Sequence, residues 1–196
     1  MSDILLDPGA GGRSILGSAL QPADIIVSTT SANVSKVIRG GTGSEISHAA
    51  LYIGDGEIIE AIGEGVVRRA LDVALHDDTL AVAYRAKTIT PEQAKSVIGY
   101  AMPWIGKKYD YTGAAGGGAK ANLALCIIVL GPVGCVIARN SGLKSKDRFY
   151  CSQLVLEAYQ RAGLPLINSS PDTSNPNNIV EAFSNGTLVY VGHLRD

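Results

Sequence analysis

Cysteine and histidine are both scarce in this chain: three of each in 196 residues. An odd number of thiols at irregular spacing argues against a disulfide framework. Neither C-x-x-C nor H-E-x-x-H occurs, so no metal site and no cofactor is expected. Charge is also in short supply. Seventeen Lys and Arg stand against eighteen Asp and Glu, for a net charge of −1, and the basic residues are scattered. No nucleic-acid partner is expected from such a surface. The N-terminus, MSDILLDPGAGGRSILGSAL, lacks a basic stretch followed by a long apolar one. A secretory signal is therefore not expected. The expectation is a soluble protein made in the cytoplasm, which would need a signal-independent secretion system to act in the envelope. Long apolar runs are missing too. The longest, Leu123 to Ala138, covers sixteen residues and is broken by Gly131-Pro132. That is short for a membrane span and reads as a buried helical hairpin or lid, with a lipid-facing or acyl-chain-binding element as the alternative.

What is present suits one folded domain, with 46% hydrophobic and 18% charged residues. The 23 glycines cluster in stretches such as 9–17, 54–65 and 113–118, as loops around a compact body would. Residues 1–21 read as a loose Gly-rich entry segment, and 22–196 as a single domain with a Gly-rich, apolar insertion at about 113–142. Strand-like stretches are ADIIVSTT (23–30), three pieces within 46–71, LAVAYRA (80–86) and TLVYVGHL (187–194). Gly54-Asp55-Gly56 is the hairpin turn between the first two of the three pieces. Residues 90–102 read as a helix, with Thr90 as N-cap, Pro91 at the first position and Gln93 closing a capping box.

The stretch DRFYCSQLVLEAYQRAGL (147–164) carries a second helix. Leu154, Val155, Ala158 and Ala162 recur at helical spacing, and Gly163 and Pro165 stop it. The helix thus begins close to Cys151. There the unpartnered amides and the helix dipole favour an anion, so a thiolate is better placed than a packing thiol. A nucleophilic cysteine also needs a base and a group that orients the base. Of the three histidines, His48 alone lies in a strongly patterned strand, where Ile46, His48, Ala50 and Tyr52 would share a face. Beyond the turn, Glu60 is expected opposite Leu51, within a few residues of His48. Plainer readings remain open: an inert small thiol, a core histidine and a solvent-facing glutamate. Cys126 and Cys135 read as buried filler, and Ser152 and Gln153 as ordinary first-turn residues. The backbone N–H of Cys151 is the natural oxyanion donor.

SHAALYIGDGEIIEA, KKYDY and FYCSQLVLEAYQRAG together resemble the circularly permuted papain-like thiol hydrolases of the NlpC superfamily, in the branch that holds the YiiX-like group and lecithin retinol acyltransferase. The histidine precedes the cysteine by about a hundred residues, which is the permuted order. The resemblance implies an α+β fold, with an antiparallel sheet packed against the cysteine helix. It implies Cys151 as nucleophile, His48 as base and then acid, and Glu60 as the residue orienting His48. Tyr109 and Tyr111 would line the substrate site. The implied activity is amide hydrolysis through a thioester, with a peptide or peptidoglycan stem-peptide substrate, as in an antibacterial effector toxin whose delivery and immunity partners are unknown. A lipid acyl hydrolase or acyltransferase is the alternative, and a non-catalytic binding module a second one.

Overall fold

The computed structural model describes residues 12–30, 46–76, 78–109 and 148–194. Its strands are β1 (Ser14–Ile15), β2 (Ile25–Thr30), β3 (His48–Gly54), β4 (Glu57–Ile62), β5 (Gly65–Ala70), β6 (Asp78–Ala86), β7 (Lys108–Tyr109), β8 (Arg148–Phe149) and β9 (Leu188–Leu194). Its helices are α1 (Leu71–Leu75), α2 (Pro91–Ala101), α3 (Cys151–Arg161) and α4 (Pro176–Ser184). Among the described residues, one seven-stranded sheet runs in the order β1-β9-β6-β2-β3-β4-β5. It is antiparallel except at the β1–β9 edge. The class is α+β, as expected, with the sheet packed against the cysteine helix. Thr90 and Gln93 form the capping box that starts α2.

Some elements are new. Ser14 and Ile15, within the segment expected to be loose, add a parallel edge strand to β9. The sequence reading also had no α1 or α4. The second of these carries its own signal, a capping box between Asn175 and Asn178 with Pro176 at the first helical position.

The sheet is covered on both faces. Ile25, Val27, Ala49, Leu51, Ile59 and Ala61 pack with Leu154, Val155 and Ala158 of α3 and Val97 of α2. Ile26, Ala50, Tyr52, Ile58 and Ala83 fill a second core with Leu20 and Leu71. Burial of both faces explains why β2 and β3 read as continuous apolar runs rather than as alternating ones.

The hairpin of β3 and β4 turns at Gly54-Asp55-Gly56, all three with positive φ, at 103°, 53° and 72°. Its register differs from the expected one. Gly54 opposes Glu57, Tyr52 opposes Ile58 and Ala50 opposes Glu60, with a bulge between Tyr52 and Gly54. Glu60 therefore does not face Leu51. A one-residue slip moves a side chain to the other face of a sheet. Here the bulge takes Glu60 off the Leu51 face and puts it on the face of Ala50 and His48. Ile46 precedes β3 and packs in the Leu51 core, so it does not share the His48 face as expected.

Candidate active site

Three ties fix the start of α3. Tyr150, the extended N-cap residue, is buried, and its hydroxyl donates to the Pro171 carbonyl at 2.7 Å. Phe149 stacks on buried Trp104 with ring centroids 4.6 Å apart. The Lys107 ammonium covers the outer face of Phe149 at 5.8 Å, and the Arg161 guanidinium covers Trp104 at 5.2 Å. Finally, β8 pairs with β7, and the loop before β7 is stitched to β5 by reciprocal bonds between Val66 and residues 106 and 107. Gly65 permits that approach, since a Cβ there would lie 2.4 Å from the Lys107 carbonyl oxygen.

Cys151 thus opens α3 on a rigid support and is 3% exposed. The Tyr150 side chain makes no capping bond to this helix, whose first turn holds no acidic residue. Its terminal amides keep their capacity to receive negative charge.

His48 opens β3, opposite Ser28 of β2. Its side chain is 21% exposed, and its Nε2 lies 2.6 Å from Oε2 of Glu60. The Cys151 side chain is near enough to act on the imidazole through hydrogen bonding and charge. With Nε2 engaged by Glu60, Nδ1 is the nitrogen left for sulfur. Burial is the largest single influence on His48 and disfavours the imidazolium. The hydrogen bonds and charges of Cys151 and Glu60 outweigh it, and push the pKa from 6.5 up to about 10.

Glu60 is buried, at 1% exposure, and its second oxygen, Oε1, accepts from Nε of Arg69. Burial alone would raise its pKa. Hydrogen bonds and charges from His48, then Arg69, prevail and hold it below the usual carboxylate range. Arg69 on β5 opposes Ile58 of β4 and so shares the face of Glu60. Asp78 completes the cluster from the start of β6. Burial raises its pKa against the opposing hydrogen bond of Ser28 and the charges of His48 and Arg69, while the charge of Glu60 adds to the rise.

The structure therefore brings Cys151, His48 and Glu60 together, with Arg69 and Asp78 as members that sequence reading missed. Arg69 was signalled only weakly, as a polar residue in an otherwise apolar strand pattern. Tyr109 sits in β7 opposite Phe149, partly buried against the core, while Tyr111 lies outside the described residues. So do Cys126, Cys135 and the segment 113–142. Gln153 is buried and donates through Nε2 to Asp172 at 2.8 Å. The hydroxyls of Ser47 and Ser152, which flank His48 and Cys151, are buried and have no partner among the described residues. His76 lies exposed on a turn after α1, and Nδ1 of His193 contacts the Tyr190 hydroxyl on β9.

A histidine on an antiparallel sheet, followed much later by a cysteine that opens a packed helix, is the order that the permuted papain-like resemblance implies. Comparison with known proteins points the same way. Residues 19–115 match the family described as "Permuted papain-like amidase enzyme, YaeF/YiiX, C92 family". That stretch contains His48, Glu60 and Arg69, while Cys151 lies beyond it. Over those residues the chain is similar to this family of amidases. It is similar to the "Probable lipoprotein peptidase YaeF" of Escherichia coli (strain K12), at 28% identity over 218 aligned positions, covering 93% of this chain and 74% of that protein. It shares its fold with the metalloprotein yiiX from Escherichia coli O157:H7, known from a crystal structure, with a TM-score of 0.53 and 24% identity. That likeness covers 72% of this chain and 66% of the other.

Among the described residues, no three His, Cys, Asp or Glu side chains are grouped as a bound metal would need. Both oxygens of Glu60 are engaged, one by His48 and one by Arg69. The described residues thus do not form a metal site at this position. No helix among the described residues is long and apolar enough to cross a membrane.

Proposed function

We propose that this chain is a cysteine-dependent hydrolase of the NlpC superfamily that cleaves an amide bond through a thioester. One observation carries the reading: His48 pairs with buried Glu60 at 2.6 Å, and the same imidazole feels the Cys151 side chain at the start of α3. In the proposed sequence, Nδ1 of His48 holds the thiol proton and the Cys151 sulfur attacks the carbonyl carbon. The oxyanion forms at the amide end of α3, with the Cys151 N–H as donor. His48 then gives its proton to the leaving nitrogen, and the C–N bond breaks to leave a thioester. Water enters, loses a proton to His48 and attacks the thioester, and the acid departs as the thiol is restored. Glu60 orients the imidazole and stabilises its charge throughout.

Peptidoglycan stem peptides are the proposed substrate class, through the family resemblance, and Tyr109 and Tyr111 are proposed to contact them. An antibacterial effector acting on a rival cell's wall is the role that would follow. The lipid alternative rests on the apolar run 123–138 alone. Mass spectrometry of products from purified peptidoglycan and, separately, from phospholipid vesicles decides between them. New amino and carboxyl termini in stem peptides, lost in Cys151→Ala, are expected. Fatty-acid release from vesicles with intact stem peptides would overturn the amide assignment.

A further inference from the structure

We propose that Arg69 is a positioning residue of this site: its Nε–H holds Oε1 of Glu60 so that Oε2 is presented to His48, making the array Cys151–His48–Glu60–Arg69. The inference rests on the reading above and extends it by one member. A buried carboxylate with one partner can rotate, and its second oxygen would lack compensation for leaving water. Arg69 removes both problems, because its planar guanidinium fixes the direction of the bond it donates.

Position supports this role. Glu60 is 2% exposed in its side chain and Arg69 34%, so the carboxylate depends on partners while the Arg69 side chain keeps part of its contact with solvent. The two lie on neighbouring strands, with Glu60 opposite Val67 and Arg69 opposite Ile58 on the same face. Arg68, the next residue back, points the other way and pairs with Glu57 instead. Around the Glu60–Arg69 pair stand His48 from β3 and Asp78 from β6, while Cys151 from α3 acts on His48. Asp78 and Arg69 are coupled through charge alone, whereas Glu60 takes a hydrogen bond from Arg69.

The test is the pH dependence of Cys151 alkylation by iodoacetamide, read by mass spectrometry, which needs no knowledge of the substrate. In Arg69→Met, Glu60 loses a cation that favours its ionised form. The acid limb of the profile should therefore move up by about 1 pH unit or more. Below the midpoint of that limb the rate at a given pH should fall by about tenfold or more, since one pH unit is one decade there. Arg69→Lys, which keeps the charge, should restore most of the wild-type profile. In a Glu60→Gln background, Arg69→Met should add no further loss. Circular dichroism confirms that each variant is folded. Should Arg69→Met not fold, Arg69→Gln replaces it in the same comparisons. A profile unchanged in Arg69→Met, or losses that multiply in the double variant, would overturn the proposal. Failure of the underlying Cys151–His48 pairing is seen separately, as alkylation of wild type that is indifferent to His48→Ala.

Discussion

Glu60→Gln is a severe change here, although glutamine is nearly isosteric, because of what flanks the side chain. Arg69 can only donate, so it will hold the amide oxygen at the Oε1 position. The amide nitrogen then takes the Oε2 position, 2.6 Å from Nε2 of His48 in the wild type. It donates there, so a neutral imidazole must accept at Nε2 and carry its proton on Nδ1, the nitrogen facing sulfur. In that tautomer it cannot take the thiol proton. Its charged form suffers as well. The rise of His48 from 6.5 to about 10 corresponds to roughly 5 kcal/mol in favour of the imidazolium, at about 1.4 kcal/mol per unit. Glu60 is one of the two partners behind that rise. Its loss together with the inverted tautomer should bring the fall in kcat/KM to about 10³–10⁴. Two measurements check this: the iodoacetamide alkylation rate of Cys151 against pH, and the imidazole nitrogen shifts of His48 by NMR. Wild-type alkylation in Glu60→Gln, or a neutral His48 that keeps its proton on Nε2, would refute the reasoning.

Three further outcomes are expected. Iodoacetamide at mildly acidic pH should label Cys151 ahead of Cys126 and Cys135 in the native protein, as peptide mapping would show; reversed labelling would remove Cys151 as nucleophile. His48→Ala should abolish hydrolysis with the fold retained, whereas His76→Ala and His193→Ala should stay active, because these two lie on an exposed turn and against Tyr190. The folded-state pKa of Glu60 lies below its ordinary value of 4.5, so its contribution to stability is present above that pH and is lost as pH falls through the folded value. The stability gap between wild type and Glu60→Gln in urea denaturation should therefore shrink between pH 5 and pH 2, and a gap that widened would contradict the assignment.

Local sequence determined much of this protein. The apolar strands, the Gly54-Asp55-Gly56 turn, the Thr90–Gln93 capping box and the start of a helix at Cys151 each follow from short-range backbone and side-chain preferences. The same short-range signals isolated His48 as the histidine in a patterned strand. The register was decided only in three dimensions. A bulge of one residue between Tyr52 and Gly54 carries no mark in the sequence, yet it determines which face Glu60 occupies. Asp78 and Arg69 joined the site for a similar reason. They come from different strands, and only the order β6-β2-β3-β4-β5, read across the sheet, brings them to one place. Charge pairing between strands depends on that order and on the pleat. The nitrogen of His48 that faces sulfur was likewise set by the tertiary fold, because Glu60 reaches Nε2 only after the bulge has turned it toward the imidazole.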